Sequence, residues 1–136
     1  METESKAGGT LPAITQSIVQ SGLFDSDRLR RLVWRPLRPG IQAFAIYGQP
    51  GVGPAAALLK YEPGAVLPRH AHNGYEHVLV LTQMQCDQTG EHLAGTLVVN
   101  PPGTSHEVQA PNGCIALVIW EKPVRFITDD GIETSK

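Results

Sequence analysis

Four residues in this sequence have the types and the spacing to hold a metal ion. His70 and His72 stand two apart in GAVLPRHAHNGYE, Glu76 follows four residues later, and His106 ends the stretch GTLVVNPPGTSH. Residues two apart in a strand point to the same face, so the two imidazoles are expected side by side. Asn73-Gly74 is a turn signal, where the chain is expected to reverse and let Glu76 open the next strand beside them. His106 follows the Pro101-Pro102-Gly103 corner and starts another strand. If that strand lies across a barrel from the first pair, His106 completes a set of three imidazoles and one carboxylate. Neutral nitrogens with a carboxylate oxygen suit a borderline divalent ion. Four such ligands leave two positions open on an octahedral ion, unlike the closed, cysteine-rich sites of structural zinc. The expectation is one divalent ion per chain (iron, zinc, manganese or nickel) with room for a small-molecule ligand. An H-x-H pair alone is weak, because two histidines on a half-exposed strand are often plain polar surface. The added Glu76 and the second block with its own terminal histidine give the set its weight.

The elements that must carry these residues are strands. Turn signals at Pro39-Gly40, 49–54, Pro63-Gly64, Asn73-Gly74, Thr89-Gly90, 101–103 and 111–113 are mostly about ten to twelve residues apart. Between them lie apolar runs at 41–47, 55–61, 76–82, 95–100 and 114–120, rich in Val, Ile and aromatics and too short for core helices. The fold read from this is all-β, an antiparallel jelly-roll barrel with a short irregular or helical N-terminal segment. Residues 1–31 read as a tail with a short helix or arm, 32–128 as the barrel, and 129–136 as a C-terminal tail. Pro12 is placed to open a helix through Ile14, Ile18 and Val19, and Asp25 or Ser26 to cap a turn before Leu29.

Other polar and aromatic residues serve as contrasts. His77 has the opposite parity to Glu76 and should face away from the site, and His92 follows a turn and reads as exposed. Tyr75 and Trp120 either line a pocket or sit in the core. Arg69 and Gln83 read as solvated surface, Cys86 and Cys114 as small core residues. Trp34 and Phe44, within 11–47, are the candidates for a homodimer contact. No general base stands out, so the sequence assigns no catalytic residue.

Composition narrows the function classes. The 136 residues carry a net charge of −2, with 14 Gly and 11 Pro. The basic cluster of Arg28, Arg30, Arg31, Arg35 and Arg38 follows Asp25 and Asp27 and reads as a solvated segment. Nothing resembles the basic stripe that neutralises a phosphate backbone, so no nucleic-acid partner is expected. No apolar stretch reaches the roughly 18 residues of a membrane span. The polar start METESKAGGT lacks the basic and apolar regions of a signal peptide. With two cysteines, the expected setting is the reducing cytoplasm.

The two histidine blocks resemble the signature motifs of the cupin superfamily. Gly64, His70, His72 and Glu76 match G(X)5HXH(X)3–4E(X)6G, with Gln83 in place of its last glycine. Gly95, Pro101, Gly103 and His106 match G(X)5PXG(X)2H(X)3N, with Ala110 in place of the asparagine. The stretches LLKYEPGAVLPRHAHNGYEHVLVL, GTLVVNPPGTSHEV and NGCIAL are similar to the ChrR-like branch. That branch includes the zinc-binding C-terminal cupin domain of an anti-sigma factor, and the chain also resembles small iron(II) dioxygenases that cleave diketone-type substrates. The resemblance implies metal ligation by His70, His72, Glu76 and His106, and a dimer. It makes a small-molecule oxygenase or related metal-dependent enzyme the first functional reading. The alternative is a zinc-binding sensor or ligand-binding module without catalysis. A metal-free sugar isomerase or epimerase ranks last, because the ligand set is intact. About 30 residues precede the barrel, with no Cys or His among them. The helical metal-binding domain of the anti-sigma family is not expected there, nor is that family's grip on a sigma factor.

Overall fold

Each apolar run of the sequence becomes a strand. The structure, a computed structural model, describes residues 14–128 and the backbone of 133–135. In chain order the elements are α1 (Ser26–Arg31), β1 (Arg35–Arg38), β2 (Ile41–Gln49), β3 (Val52–Tyr61), β4 (Ala65–Ala71), β5 (Glu76–Asp87) and β6 (Gly90–Leu93). They continue with β7 (Leu97–Asn100), β8 (Ser105–Ala110), β9 (Cys114–Trp120), β10 (Arg125–Ile127) and β11 (Glu133–Ser135). The strands lie in the order β1-β2-β3-β9-β5-β8-β4-β10-β11, with β6 and β7 also paired to β5. Every pairing is antiparallel, and together they form the curled sheets of a jelly roll.

β5 holds the two sheets together. Its first half pairs with β9 and β7, and its last residues, from Met84, pair with β6 and touch β8. The strand changes sheets at Gln83, whose φ of 57° makes it the one non-glycine residue with positive φ among those described. This is the position where the cupin motif carries its last glycine. An L-residue pays roughly 1–2 kcal/mol for that backbone region, and glycine does not. Gln83 is exposed, so its side chain contributes little there. Gln83→Gly should therefore raise stability by about 0.5–1 kcal/mol, read as a higher midpoint in urea. A lower midpoint would contradict the strain assigned to this corner.

The barrel core lies between the sheets and includes Ile41, Leu59, Tyr61, Val78, Val108 and Val118. β3 reads Ala-Ala-Ala-Leu-Leu without alternation because both its faces are covered: Ala55 to Leu59 are all buried. Leu59 points into the barrel core, while Leu58 joins Leu29 and Leu81 in a second cluster. α1 supplies Leu29 to that cluster, where full burial contributes about 2 kcal/mol. Asp25 caps α1 by accepting hydrogen bonds from the backbone of Asp27 and Arg28.

Two features depart from the sequence reading. No helix runs through Ile14, Ile18 and Val19: the chain is irregular from residue 14 to Asp25, and these three side chains are exposed with no apolar face to bury. Pro12, read as its opener, lies outside the described residues. The segment read as a C-terminal tail contains β11, which pairs with β10. Trp34 and Phe44, both half-buried, pack against each other with rings 6.5 Å apart, and the Trp34 indole donates to the Leu29 carbonyl.

Candidate metal centre

The jelly roll brings His70, His72, Glu76 and His106 together, with ligand atoms all within 4.8 Å of one another and all four residues buried. The path differs from the expected one. His106 does not face the first pair across the barrel: β4 and β8 are ladder neighbours, and His70 stands directly opposite His106. Glu76 is the residue that comes from the facing side. After Asn73-Gly74 the chain crosses to the other sheet instead of forming a hairpin, because β5 pairs there with β7 and β9. That crossing is tight. A Cβ on Gly74 would lie 2.8 Å from Glu121 Oε1, the same carboxylate that accepts from the Tyr75 backbone. The turns of the two motifs are laced together, with the His72 amide donating to the Thr104 carbonyl and the Gly103 amide to the His72 carbonyl.

The hydrogen bonds dictate which ring nitrogens are bare. His70 Nδ1 lies 2.8 Å from the Pro68 carbonyl, which can only accept, so that nitrogen carries the proton. His106 Nδ1 donates in the same way to Asp87 Oδ2 at 2.8 Å. His72 Nδ1 lies 2.9 Å from Thr104 Oγ1 and 3.1 Å from the Thr104 carbonyl. The Thr104 hydroxyl already donates to the Pro101 carbonyl, so it too accepts from the ring. All three Nε2 atoms are therefore lone pairs. They are buried, and none has a hydrogen-bond partner. His72 Nε2 and His106 Nε2 face Glu76 Oε1 at 3.1 and 3.6 Å. Lone pairs turned toward a carboxylate oxygen repel unless a cation lies among them. Unpartnered polar atoms are costly to bury, and this donor set fits a divalent ion.

The titration of His70 favours the same state. Burial pushes the His70 pKa down to about 4, against the pull of Glu76 and the Pro68 carbonyl, so the ring is neutral near pH 7. Burial acts to raise the pKa of Glu76, but a hydrogen bond from His72 and the positive charge that His72, His70 and His106 bring when protonated outweigh it and leave it below the ordinary value, the pull that a cation among these ligands would also exert. Asn100 Nδ2 donates to Glu76 Oε1, and the Trp120 indole to Oε2, each at 3.0 Å.

Asp87 is the main residue that sequence reasoning missed. Besides His106, it accepts from the backbone and hydroxyl of Thr89 and contacts His92 Nε2 at 3.2 Å. Burial works to raise its pKa, but these hydrogen bonds bring it down to about 2. His92 is therefore not the plain exposed residue expected: its side chain is 14% exposed and braces Asp87. His77 stays outside the ligand set, half-buried beside Tyr75 with ring centroids 6.4 Å apart. Trp120 lines the cavity, whereas Tyr75 is exposed. Arg69 and Gln83 are exposed as expected. Cys114 is buried, and burial pushes its thiol up to about 11 although the Gln85 amide hydrogen-bonds the sulfur. A thiol held protonated in this way is a poor nucleophile. Cys86 is half-buried.

Beside His70 and Glu76 opens a cavity of about 390 Å³ with mainly apolar walls, including Leu37, Leu67, Val124 and Phe126. Arg38 also lines it, its guanidinium 4.2 Å from the Phe126 ring centroid, so this residue leaves the solvated cluster in which the sequence placed it.

A jelly roll that gathers three imidazoles and one carboxylate around one point defines a cupin with a mononuclear metal centre. The chain belongs to the family described as the ChrR Cupin-like domain, which matches residues 27–124. It is 33% identical over 102 residues to the anti-sigma-E factor ChrR of Cereibacter sphaeroides, covering 73% of this chain and 46% of that protein. It thus spans about half the length of this curated relative. The Rhodobacter sphaeroides SigE–ChrR complex superposes with a TM-score of 0.62 at 28% identity, over 71% of this chain and 54% of that one. An acetylacetone dioxygenase from Acinetobacter johnsonii matches in fold, with a TM-score of 0.70 at 15% identity over 99% and 92% of the two chains. Among the described residues, no helix is long and apolar enough to cross a membrane.

Proposed function

We propose that the chain is a metal-dependent enzyme, an oxygenase or a related lyase, acting on a small ligand that binds through two oxygens. The observation that carries this reading is the set of bare Nε2 atoms and Glu76 beside an apolar-walled cavity of about 390 Å³. A closed structural site would have no use for such a cavity. The imidazoles and Glu76 act as ligands and not as proton carriers, since the backbone and Asp87 fix which nitrogen is free. Asn100 and Trp120 orient the carboxylate. The apolar walls keep water from the reacting ligand. A bound divalent ion would supply Lewis acidity to an enolate oxygen and, as iron(II), reactivity toward dioxygen.

The test joins elemental analysis of protein purified without an affinity tag to oxygen uptake by iron(II)-loaded protein over a panel of small diketones. The expected result is one ion per chain and uptake that depends on both iron and diketone. No uptake across the panel would overturn the oxygenase reading, and no loss of diketone from the same mixtures would overturn the lyase reading with it.

A second reading is favoured by the identity to the anti-sigma factor: a zinc-binding sensor or ligand-binding module without turnover. Tightly held zinc with no turnover would support it. Cys114 does not suit a redox switch in that reading, because burial raises its thiol pKa.

A further inference from the structure

We propose that Arg38 anchors the ligand of the metal centre by a carboxylate, so that this site takes small organic acids with a metal-binding oxygen pair at one end and an acid group at the other. The inference rests on the reading above and names the class of ligand.

Arg38 is held in place by its hairpin. It pairs with Ile41 across Pro39-Gly40, and the β1–β2 register shifts between Pro36 and Arg38. Such an irregularity re-aims a side chain relative to a regular ladder. Gly40 has φ 76°, its carbonyl accepts from the Glu62 amide, and a Cβ there would come within 3.1 Å of Ala65 Cβ. The turn is thus fixed against the β3–β4 connection and carries Arg38 to the cavity wall.

The charges in the cavity are unevenly used. Glu76 and His70 are both committed to the ligand set. Arg38 is the only lysine or arginine among the lining residues. It is half-buried, and no carboxylate pairs with it among the described residues; its contact is the face of Phe126. That ring lies 5.5 Å from the His70 ring, so the guanidinium stands one aromatic side chain away from a metal ligand. A guanidinium presents a fork of donors that matches a carboxylate, and an aromatic face leaves those donors unspent. The cavity that Arg38 shares with His70 has Leu37, Leu67, Val124 and Phe126 among its walls, which suits the hydrocarbon middle of such an acid.

A matched pair of chelators tests this on the full chain loaded with cobalt(II), followed by the visible spectrum of the metal. 4,6-Dioxoheptanoate and heptane-2,4-dione share the diketone chelate and differ by a distal carboxylate. The expected result is that the acid binds roughly ten- to hundredfold more tightly, the gain of a charge-assisted hydrogen bond. Arg38→Gln should bring the ratio of the two affinities close to one, and Arg38→Lys should keep part of it. Cobalt stoichiometry and thermal unfolding establish that each variant is folded and loaded. Equal affinities in the wild type, or a ratio that survives Arg38→Gln, overturn the anchor while leaving the chelating site intact. No spectral change with either compound on cobalt-loaded protein overturns the chelating site itself, and the anchor with it.

Discussion

His106→Ala should yield a protein that folds but does not retain the ion. Three donors remain, yet the loss takes one of two imidazoles that face each other across the β4–β8 ladder, and the hole left at a buried position supplies no replacement ligand. The affinity should fall by more than the roughly 10–100-fold that follows loss of a supporting group. Elemental analysis after exhaustive dialysis reads this as near-zero metal against one ion per chain in the wild type. Folding should survive. In the metal-free chain His106 Nε2 is a buried lone pair without a partner, so its removal also takes away a destabilising feature. Asp87→Asn provides the graded control. An amide oxygen can still accept from His106 Nδ1, but the negative charge that raises the basicity of the ring is gone. The expected loss is about 10–100-fold in metal affinity with stoichiometry intact at saturating metal. Wild-type stoichiometry and affinity in His106→Ala would show that the ion is held elsewhere.

The contrast between these two residues shows what a sequence can disclose. His70, His72, Glu76 and His106 are legible because each belongs to a short block with fixed internal spacing, and strand parity alone separates Glu76 from His77. Asp87 lies 19 residues before His106 and reaches it only because β5 bends into the second sheet at Gln83. No local pattern announces that bend, since the residue at the corner is glutamine where the motif has glycine. Asn100 and Trp120 reach Glu76 through ladder pairing, with Glu76 opposite Asn100 on one side and Trp120 on the other. An asparagine before Pro101 and an aromatic at a strand end have no chemistry until that register is known. The placement of His106 failed for the same reason: spacing identifies a ligand but not which strands are neighbours. Arg38 sits in a run of arginines that alternate with apolar residues, and only the hairpin shift and the approach of β10 to β4 turn it from solvent to the cavity. Local signals thus carry the identities of the ligands, and long-range pairing carries the groups that orient them.

The metal-free protein should lose stability as the pH falls from about 6.5 to 4, and His70 is the cause. Its ring is fully buried, burial holds its pKa at about 4, and the ordinary value is 6.5. Below pH 6.5 the unfolded chain takes up a proton at this residue while the folded chain does not, so acid favours unfolding until the folded ring titrates as well. The difference in pKa corresponds to on the order of 3 kcal/mol, lost across that window and regained on returning to neutral pH. For a domain of this size that is a fall in Tm of roughly 10 °C. A second loss follows at lower pH. The folded pKa of Asp87 is about 2 against an ordinary 3.8, so its contribution is complete above 3.8 and disappears as the pH falls through 2. Differential scanning calorimetry of chelator-treated protein at pH 7, 5.5 and 4.5 reads the first window. His70→Gln, which cannot titrate, should flatten it and leave the Asp87 step. Bound metal changes the shape of the curve: protons must then displace the ion to reach Nε2, so stability should hold to lower pH and collapse more steeply as the ion leaves. A Tm of the metal-free protein that stays level between pH 7 and 4.5 would mean that the folded state takes up the His70 proton as readily as the unfolded chain. His70 would then not present the bare, buried nitrogen on which its place in the metal assignment depends.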